Sequence, residues 1–274
     1  MKIVKQKSLA RAVSYFLQRW VMRKEFLQAR VDSLNAVFTV KTKDVVGRHI
    51  YKYLAHEPEL SDWLVKNITP RKGDVFLDIG ANIGWYSVLL SRLTQNENKI
   101  FAFEPDPLNS DLLRQNLETN KAKSVTVIQA AVAESTGKAK LYQYNSNNLG
   151  KHSMLASSGQ NSVNVDTVGL DQFFSEMGLE NCTVRLLKID VEGYEYFSLK
   201  SGKEVLKRCE VILCEYSPDI MRNHQIAPEA LLDLFLNAGL YPWHLNHGEL
   251  NKYSKIDLLS MKGVVDVIWT REVN

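Results

Sequence analysis

The spacing of apolar residues changes period along this chain, and each change marks an element. Leu9, Val13, Phe16, Leu17, Trp20 and Leu27 recur at helical spacing with basic residues mostly between them, which predicts an amphipathic basic helix over residues 8 to 30. Residues 36 to 40 read as a strand. A helix over residues 59 to 68 leads through Pro70 and Gly73 into an apolar strand at Val75. Strand and helix then alternate. Strands are predicted over 99–103, 125–128, 184–189 and 211–213, with helices over 108–120, over 171–177 and between the last two of those strands. This order predicts an α/β fold with a parallel sheet covered by helices on both faces. Residues 138–144 and 163–168 add β elements around a polar stretch, 145–160, that lacks periodicity and reads as a surface loop. A helix over 228–238 ends at Gly239, and residues 241–245 and 264–270 predict a closing antiparallel pair.

Length and composition keep this reading and add one asymmetry. With 274 residues, 45% of them hydrophobic, the chain can bury a full core. No linker rich in Pro, Gly or Ser divides it. The expected organisation is therefore a basic helix and lead-in strand over residues 1–50, followed by one domain over 51–274. The net charge of +3 is unevenly placed. Eight lysines and arginines in the first thirty residues oppose only Glu25, so the rest of the chain is net acidic. An acidic body argues against a nucleic-acid substrate. The basic helix suits either an anionic membrane surface or packing against its own domain or a second subunit. Cys182, Cys209 and Cys214 have neither disulfide-framework nor zinc spacing, and no segment approaches the ~20 apolar residues of a membrane span. Arg11, Gln18 and Arg19 interrupt any signal-peptide core. A cytoplasmic protein is expected, with the inner face of a membrane as a peripheral site.

The chemistry gathers at strand ends. The strand Val75–Ile79 breaks into Gly80-Ala81-Asn82-Ile83-Gly84 before a helical pattern begins at Trp85, and glycines there let backbone amides approach a ligand. Asp78, Glu104, Asp190 and Glu215 each fall at or just past the carboxyl end of a different expected strand, the edge where open α/β sheets bind ligands. Glu104 follows Asp78 on the neighbouring strand, where a carboxylate can accept both hydroxyls of a ribose. The glycine spacing is G-x-x-x-G, without the G-x-G-x-x-G that seats the pyrophosphate of a nicotinamide cofactor.

Three segments, Asp78-Ile-Gly-Ala-Asn-Ile-Gly-Trp-Tyr-Ser87, Phe103-Glu-Pro-Asp-Pro107 and Lys188-Ile-Asp-Val-Glu-Gly-Tyr-Glu195, together resemble the FkbM-type methyltransferase family. The resemblance spans about residues 57 to 215. It implies a Rossmann-like seven-stranded sheet with its last strand antiparallel, and methyl transfer from S-adenosylmethionine, usually to oxygen on a sugar, glycolipid or natural product. On the family's pattern, Asp78, Gly80, Asn82 and Gly84 would hold the methionine end, Glu104 the ribose, and Pro105, Asp106 and Ala131 the adenine neighbourhood.

An alcohol acceptor must lose a proton as it is methylated, so a general base or a metal ion is useful. Asp190 and Glu215 are the expected bases, and the same pair could hold a magnesium ion. Glu192 and His152 are further candidates, and Glu192 and Glu195 could instead cap the helix that follows. Two other readings stay open: a non-catalytic relative binding a membrane or partner, and a nicotinamide-dependent oxidoreductase.

Overall fold

The computed structural model describes residues 2–3, 5, 8–143, 152–155 and 161–271. Most of the expected polar loop, 145–160, lies outside them. Helix α1 (Leu9–Phe16) continues as a π-helical segment, Leu17–Val21. Strands β1 (Phe26–Val31) and β2 (Ala36–Lys41) pair as an antiparallel hairpin, followed by helices α2 (Val45–Tyr53) and α3 (Pro58–Asn67). The helix expected over 8–30 therefore stops at Val21, and its last part is a strand. Leu27, Ala29 and Val31 alternate with exposed neighbours, and that period of two, anchored by pairing to β2, prevails over the helical spacing of Leu27.

The remaining elements run β3 (Val75–Ile79), α4 (Trp85–Leu93), β4 (Lys99–Phe103), α5 (Pro107–Thr119), β5 (Val125–Ile128), β6 (Ala131–Val132), β7 (Gly137–Gln143), β8 (Asn161–Val168), α6 (Leu170–Glu176) and β9 (Val184–Ile189). They close with α7 (Glu195–Lys200), α8 (Lys203–Leu206), β10 (Cys209–Tyr216), α9 (Pro218–Asn223), α10 (Pro228–Asn237), β11 (Tyr241–Asn246), β12 (Glu249–Lys252), α11 (Lys255–Ser260) and β13 (Val265–Thr270).

The main sheet has eight strands in the order β12-β11-β13-β10-β9-β3-β4-β5. The five from β10 to β5 are parallel, and β13 inserts antiparallel between β10 and β11. The eighth strand, β12, is an edge addition. It hairpins onto β11 through His247 and Gly248, whose φ values of 50° and 85° suit a tight two-residue turn. A side sheet, β6-β8-β7, contains the β elements expected near 138 and 163. Among the described residues no helix is long and apolar enough to cross a membrane.

Both faces of the parallel strands are covered. Phe76, Ile100 and Leu186 pack into a core with α4, α5 and the N-terminal hairpin, while Leu77, Phe101 and Leu187 pack into the opposite one with α6, α7 and α10. The hairpin belongs to the first core, so the division expected at residue 50 coincides with no break in packing. Two asparagines one helical turn apart on α5 bind the free edge of β2. Asn116 accepts from Thr39 N at 2.7 Å and donates to Thr39 O, and Asn120 does the same for Val37 at 2.8 and 2.7 Å. Their amides replace a neighbouring strand, satisfying backbone groups that would otherwise be buried unpaired.

Chain direction reverses across β3. The chain passes from β3 to β4 on one side and reaches β9 on the other, and this topological switch point brings three strand ends together.

Candidate active site

The loop after β3 is wedged between the ends of β4 and β9. Gly80 and Ala81 both donate to Phe103 O at 3.0 Å, and Asp190 N donates to Ile79 O at 3.1 Å. Gly80 has φ +77°, and a Cβ built there would lie 1.9 Å from Asp190 O, so only glycine lets the loops of β3 and β9 meet. Gly84 serves helix packing: its φ is +91°, and a Cβ would fall 2.6 Å from Leu113 on α5.

Two cavities flank this junction. The first, an open cleft of about 610 Å³, lies between an apolar side, including Phe103, Pro105, Ala130, Ala131 and Met154, and polar groups including Glu104 and His152. The second, about 710 Å³, is lined by Val45, Val46, His56, Glu57, Tyr86, Lys188 and Glu215 among others. Gly80, Asn82, Asp190 and Glu192 line both and form the wall between them.

In the first cavity the Glu104 carboxylate is fixed by two backbone amides. Asn82 N reaches Oε2 at 2.8 Å and Asp106 N reaches Oε1 at 2.9 Å. Burial nonetheless raises its pKa to about 7, because the two amides only partly offset desolvation and Asp106 adds like charge. Asn82, at φ +50°, lines the cavity and keeps its side-chain Oδ1 buried without a partner among the described residues.

In the second cavity Lys188 is the central cation. It stands opposite Asp78 in the β3–β9 register, with Nζ 3.1 Å from Gly80 O and 3.5 Å from Asp190 Oδ2. Burial alone would lower its pKa, but Asp190 first, then Asp78 and Glu57, outweigh burial and hold it charged. Glu215 is pushed the other way, up to about 10, by burial and by the charges of Asp190, Glu192, Glu195 and Asp266. His56 Nε2 lies 3.3 Å from Glu57 Oε1, and Glu57 also accepts from Tyr86 Oη. Glu57 adopts φ +41°, an uncommon conformation for a non-glycine residue immediately before Pro58.

Several expected roles change. Asp78 is fully buried beneath the loop and lines neither cavity; its Oδ2 accepts from Ser87 Oγ at 2.6 Å and its Oδ1 has no partner among the described residues. Gly84 also lines neither. Asp106 caps α5 by accepting from Asn109 N at 3.0 Å, and its Oδ2 is 3.3 Å from His152 Nδ1; it supports the first cavity without lining it. His152 lines the first cavity and is absent from the lining of the second. The upward shift of Glu215 favours its protonated form, which can donate a hydrogen bond. Its Oε2 is buried with no partner among the described residues.

Of the two glutamates around Gly193, Glu195 is the buried one; it accepts from Val191 N and Gly193 N at 3.1 Å each in the loop before α7 and does not cap that helix, which has no side-chain cap. Glu192 lines both cavities at φ +53°, and its carbonyl accepts from Ser153 Oγ at 2.9 Å. Nothing in the arrangement supports a magnesium ion at Asp190 and Glu215: Asp190 is paired with Lys188, and among the described residues no group of three His, Cys, Asp or Glu side chains could hold a metal ion.

Sequence reasoning missed His56, Glu57, Tyr86 and Asp266. The first two lie in the α2–α3 connection, where a His-Glu-Pro run is the sole local signal. Asp266, a lone acid in an apolar strand, is set opposite Glu215 by the β10–β13 register.

A glycine loop at the switch point, a buried carboxylate on the next strand and paired cavities define a nucleoside-cofactor enzyme of the Rossmann-like class. The sequence profile of the methyltransferase FkbM domain matches residues 78–239, so the chain belongs to the FkbM methyltransferase family and is an S-adenosylmethionine-dependent methyltransferase. It is 27% identical over 187 residues to the 2-O-methyltransferase NoeI of Sinorhizobium fredii (strain NBRC 101917 / NGR234), covering 62% of this chain and 74% of that protein. It is 33% identical over 147 residues to the methyltransferase sdnD of Sordaria araneosa, covering 52% of this chain and 48% of that protein. Among solved structures it is similar to a putative rRNA-methylase from Clostridium thermocellum, with TM-score 0.46 and 10% identity over 77% of this chain and 93% of that one. An O-methyltransferase from Bacillus cereus in complex with SAH gives TM-score 0.45 and 12% identity over 78% and 81%. The oxidoreductase and non-catalytic readings gain no support from these likenesses.

Proposed function

We propose that the protein methylates a hydroxyl oxygen of a neutral or cationic polyhydroxyl acceptor, a sugar or glycan-like molecule, with Asp190 as the proton acceptor. The observation that carries this reading is the shared wall. A cavity with a nucleoside-type carboxylate and one lined by proton-transfer groups meet at Gly80, Asn82, Asp190 and Glu192. Displacement at a methyl carbon is in-line, so donor and acceptor must approach from opposite sides of one point, and two cavities joined at a wall supply that arrangement.

S-adenosylmethionine supplies an activated methyl group on a sulfonium. Glu104, Pro105 and Ala131 fit its nucleoside, Glu104 by accepting ribose hydroxyls. The free Oδ1 of Asn82 suits a donor group at its amino-acid end. The other steps belong to the second cavity. Asp190, held by Lys188, takes the acceptor's hydroxyl proton as the carbon–oxygen bond forms, and protonated Glu215 donates to a neighbouring oxygen of the acceptor. His56, with one ring nitrogen held by Glu57, is placed to orient a second hydroxyl. Asp190, Glu192 and Glu57 make the cleft acid-rich, which opposes phosphorylated or carboxylated acceptors and favours neutral or cationic ones. The 2-O-methyltransferase relative supports oxygen as the methylated atom.

The test is transfer of labelled methyl from S-adenosylmethionine to a panel of neutral, amino and acidic sugars. Neutral or amino sugars are expected to accept label. Asp190→Asn should lower kcat by about 10²–10⁴-fold with donor affinity nearly unchanged. Full activity in Asp190→Asn removes that residue from proton transfer, and label entering acidic sugars alone contradicts the acceptor class.

A further inference from the structure

The N-terminal helix is turned inside out relative to an ordinary surface helix. Its polar and phenolic groups face the domain: Arg11 Nε donates to Lys52 O at 3.1 Å, Ser14 Oγ lies 3.0 Å from Tyr51 Oη, and Gln18 Nε2 donates to that same hydroxyl at 2.7 Å. Tyr15 is buried, and its hydroxyl donates to Thr42 O. The apolar residues face outward. Leu9 is 82% exposed, Phe16 57% and Trp20 61%, with Val13, Val21 and Met22 exposed beside them. Leu9, Val13, Phe16 and Trp20 recur every three or four residues, so they form one stripe through α1 and the π-helical segment, which Val21 and Met22 widen at its end. An apolar face of this length on a monomer marks an interaction surface.

Charge identifies the partner. The first thirty residues hold eight lysines and arginines against Glu25 alone, and Arg19 lies over the Trp20 ring at 4.7 Å. A symmetric contact with a second copy would set this basic segment against itself. An anionic lipid surface complements it and takes up the apolar stripe, with Trp20 at headgroup depth and basic side chains among the phosphates. We infer that the segment Leu9–Met22 docks the protein in-plane on an anionic membrane, its outward apolar stripe entering the headgroup region. The inference does not depend on the methyltransferase reading. Its placement is suggestive all the same, because α2 grips α1 through Tyr51 and Lys52 while Val45 and Val46 at its other end line the second cavity.

Co-sedimentation of the full chain with phosphatidylcholine vesicles, and with vesicles containing about one third phosphatidylglycerol, tests this. Binding is expected to the anionic vesicles only and to weaken as salt rises. The double variant Phe16→Ser/Trp20→Ser, whose sites are exposed, should bind about tenfold more weakly or worse while keeping the parent's thermal midpoint. No binding of the parent to anionic vesicles overturns the inference, as does undiminished binding of the double variant. Sedimentation velocity supplies another arm: a dimer that the double variant abolishes, without vesicle binding, would make the stripe a contact between copies.

Discussion

Gly80 links the two halves of the site more directly than any other residue. Its missing Cβ admits Asp190 O, so the loop after β3 and the proposed proton acceptor are fixed relative to each other by backbone contact. Gly80→Ala must move one of the two loops and strain a φ of +77°. A loss of roughly 3 kcal/mol is expected in chemical denaturation, with weakened donor binding in the fraction that folds. Glu104 carries a different cost. Its folded pKa of about 7 lies above the ordinary 4.5, so its contribution to stability is complete below pH 4.5 and is lost as pH rises through 7. Glu195, also raised to about 7 by burial, adds a loss of the same sign. The parent should therefore lose thermal stability relative to Glu104→Gln between pH 4.5 and 7, and parallel melting curves across that window would contradict the shift. Asp78 shows how far a motif can be read. Its position at a strand end was legible, but its contact was not, because the sequence does not reveal that the side chain turns down toward Ser87 instead of up into the cavity.

Among elements, the parallel strands were legible because burial on both faces leaves mostly apolar runs such as Val75–Ile79 and Val184–Ile189, interrupted only by Asp78, Arg185 and Lys188. The strand β1 was not. Its few alternating positions adjoin a true helical stripe, and pairing to β2 decided it. Helix α2 was also missed: its Gly47 and mixed surface give a weak apolar period, although Asp44 caps its start by accepting from Gly47 N at 2.7 Å. The attachment of the hairpin to the domain could not be read from local sequence, since it depends on Asn116 and Asn120 meeting a strand some eighty residues earlier. Asn116→Leu removes a partner from Thr39 N and from the carbonyls of Thr39 and Ile83, all buried contacts. It should cost roughly 2–4 kcal/mol in urea unfolding, whereas a change within about 0.5 kcal/mol would show that the staple contributes little.

Over the whole molecule, one half of the site follows from the strand-end motifs and the other from topology. Glu104, Asn82 and Asp190 meet because the chain reverses across β3. His56 and Glu57, which line the second cavity, arrive from a connection outside the matched family domain, and Asp266, which lines neither cavity, faces Glu215 from an antiparallel strand at the far end of the chain. The proposed acceptor cavity thus draws on a segment with little family signature, which is why the sequence indicated a methyl donor far more clearly than its acceptor. The central claim is that the cavity bounded by Glu104 seats S-adenosylmethionine beside Asp190. Calorimetric titration of the parent and of Glu104→Ala with S-adenosylmethionine tests it most directly. Saturable one-site binding is expected for the parent, with affinity lower by about tenfold or more in the variant. No heat of binding at millimolar donor, or equal affinity in the two proteins, would contradict the account.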